Sequence, residues 1–565
     1  MKMVSFKKAI SLIMLLAFAV TMLVGCGASS SPAPEQSNAA PAESAAVESS
    51  APAEAEAQAP AEVEPGWKKD TSPIKLDWYI NEVWFDNPEG NLAHQLVKEQ
   101  TGVDINFIVP VGDARQKLNT MIASNSLPDL VTLGWYEPQV PQLSTEDYTY
   151  ALSDLADKYD PYFWKVAAPD IVNWYKDASG KLYKYPCNGN TPDDTAKYNV
   201  LSNRSFLVRK DIYEAIGKPD MRTPEGFLNA LQAAKDKFPK ADNGQPLIPF
   251  AGAQFNSTGN TSFEDMLMEF LAGPREQDGK YFDYKCANPF PDYINWLKTF
   301  RKAHEMGNIP TDAFVDDRPK IEEKIQQGRY FSLLYQWKDA MAPLAALYGN
   351  KPEEIYISVD GPANSKLDPP KFSVSGYSGW EVTFITKNCK NPERAIKFLG
   401  WGMSEEGQKT LYCGKEGVTY DVVDGKPIIK PEVNTLKNTK MAEFKKQYNT
   451  FGEIWMFNTS MNSLWEPDPG MPFNQYREYA KGKSVHYGVY DNIRPDADTD
   501  EGDILAKAET KWGEVLPKLL MAKSDEEFDK LWKDYEDYKV SIDYQKAIDY
   551  QRQKVAENKA KVGAK

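Results

Sequence analysis

This sequence predicts an α/β fold spread over more than one domain, and three observations lead there. Strand-like alternation and helix-like spacing take turns along the chain from Ile74 onward. The chain runs to 565 residues, more than a single hydrophobic core normally serves. Hydrophobic residues make up 42% and charged residues 26%, the balance of a globular protein in water.

The first segment stands apart from that body. Lys2, Lys7 and Lys8 form a basic start, Ile10 to Val20 is almost wholly apolar, and Leu23-Val24-Gly25-Cys26 closes the run. The run is shorter than the roughly 20 residues of a membrane span and reads as an export signal over 1–26. Its ending resembles the lipobox of bacterial lipoproteins, which implies cleavage before Cys26 and diacylation of the Cys26 thiol. A plain secretory signal with an incidental cysteine is the alternative. One acyl chain gives only about 10⁴ M⁻¹ of membrane affinity, whereas two hold stably. Residues 27–66 are an acidic tether rich in Ala, Pro, Glu and Ser, with too little aliphatic side chain to fold.

The body then alternates. Ile74 to Ile80 has the period of a strand, and Leu92, Leu96 and Val97 mark a helix stopped at Gly102. Val103 to Ile108 alternates again, Leu118, Met121 and Ile122 share one helix face, and Asp129 to Leu133 reads as the next strand. Strands separated by helices imply parallel βαβ units. Phe206 to Val208 leads into a helix carrying Ile212 and Ile216, and Thr223-Pro224-Glu225 is a helix start with an N-cap and a proline at N1. Gly379 to Thr386 reads as a strand, and Asn391-Pro392-Glu393 opens a helix. The end of the chain is helical: Ile504 to Leu520, then Ser524 to Tyr538 with a capping box at Ser524 and Glu527.

A formal net charge of −15, with no basic stripe, argues against nucleic acid as a partner. Cys187, Cys286, Cys389 and Cys413 are widely and irregularly spaced, which leaves disulfides and free thiols both open. Catalytic and metal motifs fail at their defining positions. His304-Glu305 begins a zinc helix, but Asn308 stands where the second histidine belongs. Trp380 replaces the last glycine of a nucleophile elbow begun at Gly376, and Arg477 the first glycine of a P-loop ending at Ser484. Asp496-Ala497-Asp498 starts like a calcium loop, yet Glu501 and Lys507 occupy its glycine and glutamate positions; the stretch reads better as an acidic helix start. No catalytic residue, metal site or cofactor is expected.

Three strings carry a family resemblance. Asp113 to Ser124 running into Leu127-Pro128-Asp129-Leu130 resembles the first-lobe signature of family 1 extracellular solute-binding proteins. Leu207 to Asp211, with Gly217-Lys218-Pro219 and Thr223 to Phe227, is similar to the opening of their second lobe. Asn391 to Leu399 with Ser404 to Gly407 resembles their return to the first. The resemblance covers most of the chain after Trp67, is nearest to the lipoprotein LipO-like subgroup, and is weakest from Gly417 to Asn492. It implies a two-lobed periplasmic-binding-protein-like fold of class II type, with discontinuous lobes joined by a multi-crossing hinge. The first lobe would be 67–200 with about 372–420, and the second about 201–371 with about 421–565. It implies a non-enzymatic, monomeric receptor on the extracellular face of the cell membrane. Such a receptor captures a carbohydrate, an oligosaccharide above all, and delivers it to the transmembrane subunits of an ABC permease. A carbohydrate-active hydrolase, or a peptide receptor on the same fold, is the alternative.

Sugar sites pair flat aromatic rings with amides and carboxylates, because sugar faces are apolar and their rims carry hydroxyls. Aromatics beside polar residues at strand ends or in loops are therefore the candidates: Trp84, Trp135, Trp337, Trp380 with Glu381, and Trp455, with Asn256 as an amide. Each tryptophan has packing at a lobe edge as its competing role. Trp296, Trp401 and Trp512 fall within helical periodicity and are expected in the core. No arginine cluster accompanies the aromatics, so a phosphorylated ligand is not expected.

Overall fold

The computed structural model describes residues 63–563 except 84, 283–289, 451–456, 466–469 and 497–498, and except the side chains of 438, 439 and 459. Cys26 with the export signal, the tether as far as residue 62, Trp84, Cys286 and Trp455 therefore lie outside the described residues.

The described chain enters the folded body through a short helix, Gly66–Lys69. Trp67 is buried edge-on to Tyr162, and the Gly66 N–H donates to the Asp160 carboxylate at 3.1 Å. A Cβ at residue 66 would lie 2.7 Å from that carboxylate oxygen, so the slot takes glycine. Strands β1 (Ile74–Ile80), β2 (Val103–Ile108) and β3 (Leu130–Gly134) then pair in parallel. The helix between the first two is capped by Asn91, and Gly102 ends it at φ 71°. The next helix, Ala114–Ala123, is capped by Asp113 and buries the expected Leu118, Met121 and Ile122. Parallel sheets are covered on both faces, and this one is. Leu76, Trp78 and Ile80 fill one core, while Tyr79, Val131 and Leu133 fill another across the sheet. A fourth strand, β4 (Lys184–Pro186), completes this part of the chain.

The chain then leaves for a second sheet. It forms β5 (Arg204–Arg209), β6 (Ile248–Ala251), a short hairpin of β7 (Glu276–Gln277) and β8 (Lys280–Tyr281), then β9 (Tyr330–Gln336) and β10 (Tyr356–Ser358). The sheet order is β10-β5-β9-β6. Helix Pro224–Lys237 is capped by Thr223 with proline at N1, as its sequence predicts. Phe206, Phe227, Phe250 and Phe300 form the aromatic centre of this core.

The return passes through β11 (Phe372–Val374) into β12 (Glu381–Ile385). β12 inserts antiparallel between β3 and β4, giving the order β2-β1-β3-β12-β4. A hairpin, β13 (Tyr420–Val423) and β14 (Lys426–Ile429), and two helices follow. Tyr420, Ile429, Val433, Phe444 and Trp465 all pack into the first sheet's core. Phe473 and Tyr476, farther on, pack with the second sheet. β15 (Ser484–His486) then pairs in parallel with β11. Ser202 N–H donates to Ser484 Oγ at 3.0 Å, and His486 Nε2 meets the Asn190 carbonyl at 2.7 Å. The crossings between the sheets are thus laced together, as a multi-crossing hinge requires.

Helices Asp500–Leu520, Asp525–Ser541 and Tyr544–Lys561 close the chain, and Leu505, Trp512, Phe528 and Ile548 join the second sheet's core. Thr499 caps the first of them, and Asp500, Glu501 and Asp503 occupy its first turn, the acidic start that the sequence predicts. Ser524 caps the second through Glu527 N–H, but the Glu527 carboxylate reaches Lys523 N–H, so the capping box is not reciprocal.

Candidate functional site

Because β12 runs against β3, its first residue sits beside the last residue of β3: Glu381 pairs with Gly134. The same edge carries the end of β1 at Asn81 and Glu82, and the end of β4 at Cys187. Carboxyl ends of parallel strands are where ligand sites form in open α/β sheets. Backbone bonds lock this edge. Trp135 N–H donates to the Trp380 carbonyl at 3.1 Å, Trp380 N–H to Cys187 at 3.0 Å, and Cys187 N–H to Glu381 at 2.9 Å. The turn depends on Gly379, at φ 66°, where a Cβ would lie 2.2 Å from the Cys187 carbonyl oxygen. Trp174 Nε1 and the Tyr175 hydroxyl hold Ser378 from behind, at 3.1 and 2.6 Å.

Three aromatic rings meet here. Trp135 and Tyr136 stand edge-to-face at 5.8 Å, and half-buried Trp380 packs against the first sheet's core. Tyr136 is 56% exposed, and its ring lies over Gly134, where a Cβ would come within 2.6 Å. The polar partners are mostly acidic. Asn81 is buried and accepts from the Tyr79 hydroxyl at 2.9 Å. Glu137 accepts two bonds from Arg115, at 2.9 and 3.1 Å. Glu381 is fully buried, and neither of its carboxyl oxygens meets a hydrogen-bond donor of the fold. Burial, and then the neighbouring Glu82 carboxylate, push its pKa up to about 9, so Glu381 is protonated at neutral pH.

The second sheet brings a polar cluster to the hinge. Arg204 donates to Glu269 at 3.2 Å and to Gln336 at 2.6 Å, and Ser373 of β11 donates to Glu269 at 2.6 Å. Arg275 lies 3.7 Å from Glu269 and 5.0 Å over the Tyr487 ring. The two sheets' polar groups converge at Asp491. Burial raises its pKa to about 7, while the Ser378 N–H from one side and the Arg275 charge from the other draw it down.

Of the sequence candidates, the structure brings Trp135, Trp380 and Glu381 together. Trp337 is 5% exposed and stacks against both Phe473 and Tyr476, at 5.9 and 5.5 Å, as a core residue of the second sheet. Asn256 is exposed and accepts from Thr258 N–H and Oγ1, at 2.8 and 2.9 Å, closing its own turn. Trp296, Trp401 and Trp512 are core residues, as their periodicity indicates. Cys389 and Cys413 are buried free thiols, and Cys187 is buried. Sequence reasoning passed over Glu82, Tyr136 and Glu137 beside its chosen tryptophans, although they lay in the same strand-end strings. Nothing local marks Arg275, Tyr487 or Asp491, which long loops and the hinge carry to this edge.

Comparison with known proteins bears on this arrangement. The model of the family described as bacterial extracellular solute-binding protein matches residues 92–428, more than half of the chain. The chain is similar to the fructooligosaccharide ABC transporter substrate-binding protein FusA of Streptococcus pneumoniae, 25% identical over 240 residues, which are 41% of this chain and 44% of that one. It is also similar to the melibiose/raffinose/stachyose-binding protein MelE of Bacillus subtilis, 27% identical over 175 residues, 31% of this chain and 34% of that one. These matches span less than half the length of either relative. Among solved structures, FusA of S. pneumoniae in complex with kestose superposes with a TM-score of 0.62 at 18% identity, covering 86% of this chain and all of that one. The alginate-binding protein AlgQ2 without calcium gives 0.59 at 19%, covering 86% and 98%. Such likeness shows the fold: two α/β lobes of the periplasmic-binding-protein type.

Proposed function

The chain belongs to the bacterial extracellular solute-binding proteins, and from that premise we propose that it is the receptor of an ABC importer for an oligosaccharide. In this reading it is a monomer, held on the outer face of the cell membrane by a diacylated Cys26. It captures its ligand between two lobes and passes it, chemically unchanged, to the transmembrane permease subunits.

The observation that carries the reading is the grouping of Trp135, Tyr136 and Trp380 with Asn81, Glu82 and Glu381 at one sheet edge beside the hinge. Flat rings supply area for apolar sugar faces at low entropic cost, and carboxyl and amide groups orient the hydroxyls. The sugars named for FusA and MelE support the same class. Trp84 stays in the proposed set because it follows Glu82 at the end of β1. Trp455 stays on sequence grounds, whereas Asn256 and Trp337 are assigned to structure. We place the lobes at 67–200 with about 372–465, and about 201–371 with about 470–565; the packing of Val433, Phe444 and Trp465 supports the later boundary.

Thermal unfolding of the full chain against oligosaccharides, peptides and polyols tests this. A ligand at 100 times its Kd adds about 2.7 kcal/mol, and an oligosaccharide is expected to give the largest shift. A peptide as the best hit, or overnight consumption of the bound sugar, would overturn the reading.

A further inference from the structure

Glu381 is a titratable side chain that the fold leaves without a hydrogen-bond donor. It is fully buried at the head of β12, with both carboxyl oxygens lacking a donor. The charged groups it faces are the carboxyls of Glu82, at the end of β1, and Glu137, after β3. The cation of this cluster, Arg115, is already engaged twice by Glu137. A buried carboxyl without a donor is costly unless it keeps its proton or receives a cation from elsewhere.

We propose that Glu82 and Glu381, under the rings of Tyr136 and Trp380, form a subsite for the protonated amino group of an amino-sugar residue in the ligand. This rests on the oligosaccharide reading above and narrows it. Acidic groups beside aromatic faces are the chemistry that recognises an ammonium: the carboxylates supply charge-assisted bonds and the rings a cation–π surface. A divalent metal fits less well, since among the described residues no three His, Cys, Asp or Glu side chains are arranged to hold one. In the empty site burial favours the protonated form of Glu381. When the ammonium arrives, that proton leaves Glu381 for the buffer and the carboxylate pairs with the nitrogen. Tyr136 is the movable cover. Its ring rests on a glycine and is more than half exposed, so it can turn outward without disturbing the strand.

Calorimetry at pH 7 tests this with the full chain. The probes are the glucosamine trisaccharide, its fully N-acetylated counterpart and maltotriose, each in two buffers of different ionisation enthalpy. The glucosamine trisaccharide is expected to bind at least about tenfold more tightly than the acetylated one, the margin of one charge-assisted bond, and to release a proton. Glu381→Gln is expected to abolish both the preference and the proton release. Glu82→Gln, at a less buried position, serves should the first variant fail to fold. Equal or tighter binding of the acetylated trisaccharide or of maltotriose overturns the subsite and leaves the oligosaccharide reading standing. A preference that survives both substitutions also overturns it. If no saccharide binds and peptides do, both readings fall together.

Discussion

Gly134 and Glu381 face each other across two strands, and much of the site follows from that one register. Missing a Cβ, Gly134 leaves room for the hydroxyl end of the Tyr136 ring at the strand end that pairs with Glu381. The raised pKa of Glu381 has a measurable sign. A carboxyl that is neutral in the fold but ionised in the unfolded chain contributes fully below its ordinary value of 4.5, and loses that contribution as pH rises towards about 9. The melting temperature of Glu381→Gln relative to the native chain is therefore expected to climb between pH 5 and 9; a constant offset would count against this. Trp337→Ala is expected to cost about 3–5 kcal/mol in denaturant titration, as for other buried aromatics, while leaving ligand affinity unchanged. The rule that chose Trp135 and Trp380 also chose Trp337, since each follows or precedes a strand end. Trp337 turns back onto Phe473 and Tyr476, partners far along the chain that no local pattern announces.

At the scale of single elements the sequence is most legible, because caps and stops are local chemistry. Asn91, Asp113, Thr223, Thr499 and Ser524 each accept the N–H bond that begins a helix. Thr223→Ala is expected to destabilise the second lobe by about 1 kcal/mol, read as a lowered urea midpoint. Gly102→Ala should cost more. Its positive φ already disfavours a side chain by about 1 kcal/mol, and a Cβ there would meet the Thr71 carbonyl oxygen at 2.2 Å. A variant as stable as the native chain would show that this helix end relaxes freely. Legibility stops at the hairpin Tyr420–Ile429 and the helices after it. Val422, Val423 and Ile428 are exposed while Tyr420 and Ile429 are buried, so composition there does not reveal which core the segment joins.

The molecule as a whole was legible only in part. Alternation predicts parallel βαβ units and finds β1, β2 and β3, but it cannot say that β12 returns between β3 and β4 from the far side of the second sheet. The order of three family-like strings implies a return to the first lobe, but not the place of β12 within its sheet. The crossings at β11 and β15 join the two sheets, and hinge closure around ligand is the motion such proteins use. Small-angle scattering is expected to show a smaller radius of gyration when a bound oligosaccharide saturates the chain; an unchanged radius would argue for a rigid body. One further consequence lies in Gly66 and Trp67, seated beside Asp160 and Tyr162 in the half of the molecule built on β1. With the diacylated Cys26 proposed above, a pull along the chain would arrive there, so the leading half would be moored and the trailing half would swing. On the proposed reading, a receptor hitched in this way would offer a permease one steady face and one moving face, and occupancy would be signalled by the moving face alone.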